Sequence, residues 1–306
     1  MTYSFELFER SKKIGIVSHD SGGAQVLSHF VLNNPKQYLF SITGPATKIY
    51  HENLGNEFKK SVSLDEILAI CDLLIFSTGW SKHEVAAIAK AKRQGVFSIA
   101  ILDHWVNYKM RFMLDNNFVF PNAIWVSDES ALKIAKREFP EVEVKQVSNY
   151  YLESEIRKVN SLHNTISNPT GERALFLGEN ISEMALKNFG DQLHFGYNEK
   201  TSFTFLLEFF KSQINLDRIL RIRPHPSESD VSKYIEIVKG SGAQFSQIEI
   251  STNSLNEDLS WSTSVYGMTS YALYLADRAD KPTFCCIPNS KFDLPFPSNS
   301  IKYLYH

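Results

Sequence analysis

The strongest constraint in this sequence is an alternation of short apolar runs with segments of helical spacing, which proceeds, breaks off and begins again. Runs at 13–18, 38–42, 73–76, 96–102 and 124–126 read as strands. The stretches at 24–32, from Pro45, from Ser63, at 82–93 and at 127–138 read as helices. Pro45 suits a first helical turn, Asp65 and Glu66 suit the positive end of a helix dipole, and Ser127 is the expected cap of the helix that follows it. Parallel strands need helical crossovers, so the pattern builds a parallel sheet covered on both faces.

The break falls at 161–172, where Ser161, His163, Asn164, Thr165, Ser167, Asn168, Pro169 and Gly171 replace large apolar residues. That composition reads as a linker. Beyond it, strands are expected at 173–177, 218–222, 245–250, 264–266 and 283–287, with helices at 201–212, 228–239 and 269–278. The fold class is therefore α/β: two Rossmann-like, doubly wound domains, residues 1–160 and 173–306, on either side of a cleft. Open sheets of this kind bind ligands beyond the carboxyl ends of their strands.

Composition narrows the function classes. A net charge of -2 with dispersed Lys and Arg gives no electrostatic footprint for nucleic acid. Residues 1–13 fit neither a signal nor a transit peptide, and no apolar run is long enough to span a bilayer. A cytoplasmic protein is expected, with peripheral membrane association still open. Cys71 and the adjacent Cys285 and Cys286 offer neither zinc spacing nor a disulfide framework, and the scattered histidines include no HExxH, so no metal or other cofactor is expected.

Three segments carry candidate chemistry. Arg221-Ile222-Arg223-Pro224-His225-Pro226 closes a strand, and its two prolines present His225 on a stiff turn at the sheet edge. Thr269 and Ser270 open a helix whose free amides, dipole and hydroxyls suit a phosphate. His19-Asp20-Ser21-Gly22-Gly23 follows the first strand, but it is not a GxGxxG fingerprint, and no P-loop exists in the chain.

The His-Pro strand end followed by a hydroxyl pair at a helix start resembles the bacterial GT-B sialyltransferases, polysialyltransferases and Kdo transferases. The resemblance covers roughly 173–288, with Thr-Ser here where that family carries Ser-Ser. It implies a metal-independent transfer of an acidic sugar from a CMP-activated donor to a glycan or glycolipid acceptor, in the setting of surface-polysaccharide synthesis. His225, Thr269 and Ser270 would contact the donor phosphate, with Arg223 adding charge. Glu249 or Glu257 would take the ribose. Gly178, Glu179 and Asn180 are placed to meet the base or phosphate.

In the first domain, the acceptor hydroxyl needs a base. Asp20 is the first choice, with His19 as partner or substitute and Asp103 as runner-up. Gly22, Gly23, His104, Trp105, Tyr108 and Arg111 are expected to bind the acceptor, because aromatic faces suit sugar rings. The Ser77-Thr78-Gly79-Trp80 strand end would line the same space. CDP-glycerol transferases have a similar Arg-Pro-His-Pro strand end, so a CDP-alcohol phosphotransferase, a UDP-sugar epimerase of the same fold and a non-catalytic nucleotide-sugar-binding subunit stand as alternatives.

Overall fold

Strands buried on both faces are what the apolar runs demand, and the computed structural model provides them in two parallel sheets. It describes residues 2–79, 81–163, 171–213, 217–228, 230–288, 298 and 300–304. Trp80, the linker core 164–170 and most of the tail at 289–306 lie outside the described residues. The chain forms two compact units, Met1–Glu153 and Ser154–His306.

The first unit begins with α1 (Tyr3–Arg10), β1 (Lys13–Ser18), α2 (Ser21–Asn33), β2 (Gln37–Ile42), α3 (Ala46–Leu54), α4 (Leu64–Ile70) and β3 (Leu73–Phe76). There follow α5 (Lys82–Arg93), β4 (Phe97–Ile101), a small ladder of β5 (Met113–Leu114) with β6 (Asn117–Phe118), then β7 (Ala123–Val126), α6 (Glu129–Glu138) and β8 (Glu143–Gln146). The main sheet runs β2-β1-β3-β4-β7-β8, every pairing parallel. Since β1 is flanked by β2 on one side and β3 on the other, the winding reverses between β1 and β3. That switch point opens a crevice at the strand ends.

The core of this unit gathers around Trp125, which is fully buried and meets Phe8 edge-on at 5.5 Å. Its indole nitrogen donates to the Ser4 hydroxyl at 2.9 Å, tying α1 to the sheet.

Within α7 (Tyr150–His163) the first unit gives way to the second, so residues 161–163 are the helix's last turn and not loop. The second unit contains β9 (Arg173–Leu177), α8 (Ile181–Phe189), α9 (Glu199–Ser212), β10 (Ile219–Arg223), α10 (Ser232–Ser241) and β11 (Gln247–Ile250). It continues with α11 (Leu255–Trp261), β12 (Ser264–Gly267), α12 (Tyr271–Arg278), β13 (Thr283–Cys285) and β14 (Lys302–Tyr303). Its parallel sheet has the order β11-β10-β9-β12-β13-β14, which puts the switch point between β9 and β12. Phe176, Phe203 and Tyr234 pack together in its core, all fully buried.

Two local expectations change. The cap of α6 is Asp128, whose Oδ1 accepts from the Ala131 amide at 2.8 Å, and not Ser127. Helix α10 begins at Ser232 and not at 228, because Glu228 is drawn back to the His225 turn. Cys71, Cys285 and Cys286 are free and buried. No described helix is long and apolar enough to cross a membrane.

Candidate functional site

In the first unit the chemistry collects at the β1/β3 switch point. Asp20 occupies the N-cap position of α2, yet its side chain makes no capping bond. Its Oδ1 instead meets His19 Nδ1 at 2.6 Å, and Oδ2 accepts from the Ser81 amide at 3.2 Å. A carboxylate on Nδ1 fixes the ring's orientation and tautomer and leaves Nε2 as the working nitrogen. That nitrogen lies over Gly44, where an added Cβ would come within 2.5 Å of it and where φ is +58. Glycine is therefore required at Gly44 on two counts.

Asp103, at the end of β4, faces the same α2 start: a Cβ on Gly22 would approach its Oδ2 to 2.6 Å. Its Oδ1 is held by Arg111 Nη1 at 2.6 Å, both side chains being largely buried. Gly23 packs directly on Ser77 and the Thr78 carbonyl.

In the second unit the β9, β10 and β12 ends converge. The Gly178 amide donates to the Arg223 carbonyl at 2.8 Å, and a Cβ at Gly178 would strike the Tyr234 hydroxyl at 2.7 Å. His225 stands exposed, with Nδ1 2.8 Å from the Ser227 hydroxyl and its amide donating to Glu228 Oε1 at 2.8 Å. Although much of the side chain is exposed, desolvation of the ring within the turn lowers its pKa. Asn180 Nδ2 reaches Ser227 Oγ at 3.0 Å. At the start of α12 the Thr269 and Ser270 amides point at a carboxyl that the chain itself supplies: Glu179 Oε1 accepts both, at 2.8 and 3.0 Å. Among the described residues no three His, Cys, Asp or Glu side chains gather as a metal site.

Neither a family model nor a curated protein matches the sequence. Solved structures do match. The UDP-GlcNAc 2-epimerase from Neisseria meningitidis bound to UDP-GlcNAc aligns with a TM-score of 0.57 at 12% identity, over 91% of this chain and 83% of that one. A putative UDP-N-acetylglucosamine 2-epimerase from Listeria monocytogenes gives 0.56 at 14% identity, over 90% and 79%. MurG from Acinetobacter baumannii gives 0.52 at 10% identity, over 93% and 81%. The chain has the GT-B-like fold.

Several expected residues hold other positions in this GT-B-like chain. Arg221 and Arg223 do share one face of β10, but both are bound to the fully buried Asp258, at 3.2 and 2.9 Å. Arg223 is thereby committed to a carboxylate and not to a phosphate. Glu249 is paired with Arg221, and exposed Glu257 closes a capping box with Ser254 at the start of α11, so neither stands ready for a ribose. Trp105 and Tyr108 are not stacking platforms, being only 5% and 3% exposed. Trp105 Nε1 donates to Asp128 at 2.7 Å, and Tyr108 stacks on Phe139. His104 Nδ1 accepts the Trp105 amide at 2.9 Å, and burial lowers its pKa.

Glu179 has a measurable signature. Desolvation raises its carboxyl to about 7, against the pull of the amides it accepts, which lowers it. Ionisation is thus harder in the folded chain than in the unfolded one, so stability is greatest at acid pH and falls as pH rises through 7. Glu179→Gln keeps an acceptor for the amides and removes the charge. It is expected to match the parent near pH 5 and exceed it by about 2–3 kcal/mol at pH 8.5, as read by urea unfolding at both pH values. A variant less stable than the parent at pH 8.5 would mean that the charge on α12 is net stabilising.

Proposed function

We propose that this chain is a nucleotide-sugar-dependent, metal-independent glycosyltransferase. Its second unit holds the donor nucleotide at the ends of β9, β10 and β12, and its first unit activates the acceptor hydroxyl. The observation that carries the reading is the His19–Asp20 pair at the β1/β3 switch point. An imidazole oriented by a carboxylate is suited to take a proton from a hydroxyl as the glycosidic bond forms. This reverses the sequence-based order: His19 is the base and Asp20 orients it, while Asp103 is bound to Arg111.

A donor carrying one phosphate, a CMP-linked acidic sugar, fits the charges better than a diphosphate. Arg221 and Arg223 are held by Asp258, Lys233 is bound between Glu199 and Glu228, and desolvation disfavours the charged form of His225. With those charges committed, the second of two phosphate charges would be poorly matched. The second reading is a UDP-sugar epimerase, favoured by the names of the Neisseria and Listeria structures.

Calorimetric titration of CMP, CDP, UMP and UDP in EDTA separates the two. CMP is expected to bind tightest, and His225→Ala to weaken it about tenfold, or about 1.4 kcal/mol. UDP binding tightest moves the epimerase ahead, and CDP the phosphotransferase. Absence of any nucleotide binding overturns the transferase.

A further inference from the structure

Beneath the His19–Asp20 turn lies a buried polar group that the proposed reaction has not used. Glu84, in the first turn of α5, is 2% exposed. Its Oε1 accepts the His19 amide at 2.8 Å and the Ser77 hydroxyl at 3.3 Å. Its Oε2 is buried without a hydrogen-bond partner, and so is the Tyr50 hydroxyl.

Groups from four segments face this carboxyl. His19 and Asp20 lie on the β1–α2 turn, Tyr50 on α3, Ser77 after β3, and Ser81 at the cap of its own helix. None of these is a lysine or arginine, and Asp20 adds a like charge. An ionised carboxylate here would have one oxygen unsolvated and no counter-charge, at a cost of several kcal/mol. Placing a proton on that same oxygen removes the buried charge, which is the larger part of that cost.

We propose that Glu84 is a positioning residue for His19 and works as an uncharged carboxylic acid, with Oε1 fixing the His19 main chain and the proton resting on the enclosed Oε2. The inference builds on His19 as the base. Burial raises the Glu84 pKa, and the Asp20 charge adds to the rise, against hydrogen bonds from its own amide, the His19 amide and the Ser81 hydroxyl that lower it. The neutral form has a consequence for the imidazole. A second negative charge beside His19 would hold the ring protonated to higher pH and remove it as a base near neutrality. With Glu84 neutral, Asp20 is the carboxylate that pairs with the ring at Nδ1.

The test is a ring titration of His19 by NMR in the full chain, for the parent, Glu84→Gln and Glu84→Asp. Glu84→Gln is expected to leave the His19 midpoint within about 0.3 unit, because no charge is lost. A fall of about one unit or more in that variant would show that Glu84 is ionised and overturn the proposal. Glu84→Asp, one methylene shorter, is expected to release the His19 amide and speed its hydrogen exchange by about tenfold. Unchanged exchange would show that Glu84 does not hold the turn. Neither readout needs a substrate. If no nucleotide binds while both results hold, the transferase reading falls and the Glu84 assignment stands.

Discussion

Replacing Asp258 with alanine is expected to lower the stability of the second unit by about 3–5 kcal/mol, the usual cost of removing one partner from a buried ion cluster. The argument starts from strand alternation, which puts Arg221 and Arg223 on the same face of β10. Asp258, fully buried in α11, answers both guanidinium groups, and Ser251 Oγ donates to it at 2.6 Å. Arg221 also lies 3.7 Å from the centre of the Trp261 ring, so its position is fixed from a second side. Without Asp258, Glu249 still pairs with Arg221, but Arg223 loses its carboxylate. Asp258→Asn should cost less than the alanine, since an amide oxygen still accepts. Urea unfolding combined with native-state hydrogen exchange of the β10 amides measures the effect locally. A loss below about 1 kcal/mol would show that these arginines are stabilised largely without Asp258, as exposed pairs are.

The same cluster shows where sequence reasoning stops. Strands at 13–18 and 73–76 and the helix at 82–93 were legible because double-sided burial forces continuous apolar runs and caps punctuate them. Strand β8, Glu143–Gln146, was not legible: at the edge of its sheet it carries charged, part-exposed side chains and no apolar run. Helix α8 was not read from the sequence; Ile181 and Ala185 are buried on it, while Met184, Leu186 and Phe189 are exposed. The Ser254–Glu257 spacing announces the start of α11, yet Glu257 was offered beside Glu249 for a ribose, and it closes the cap.

Ser81 and Glu84 have that same spacing, with a different outcome. There Ser81 accepts from the His83 amide, and Glu84 turns inward to His19. One local pattern thus yields a cap in one helix and a buried carboxyl in another. Which occurs depends on whether a turn from elsewhere in the chain offers a backbone amide, and sequence spacing does not contain that information. The sequence offered His19 as a partner of Asp20 without showing what holds the carboxylate. What settles it is the Ser81 amide, sixty-one residues away, which donates to Asp20 Oδ2. The glycines mark the remaining constraint: Gly22 reads from sequence as acceptor-binding, whereas the structure uses it as room for Asp103, and Gly44 likewise leaves room for His19.

His19→Ala is expected to reduce turnover of the donor that binds by about 10²–10⁴, the range for removing a general base, while changing nucleotide affinity less than about twofold. Affinity is spared because the donor contacts are assigned to the other unit. Asp20→Asn is the more informative substitution, since it preserves shape. An asparagine can present its amide N–H to Nδ1, which forces the ring proton onto Nε2 and blocks proton uptake there. A loss comparable to that of His19→Ala is therefore expected, despite nearly unchanged packing. Release of free nucleotide from the donor in the presence of acceptor measures both variants. If Asp20→Asn is inactive while His19→Ala keeps most of its activity, the carboxylate is itself the base, and the histidine only orients it. Full activity in both would remove the β1/β3 switch point from the chemistry and leave Asp103, freed from Arg111 by an incoming acceptor, as the group to test.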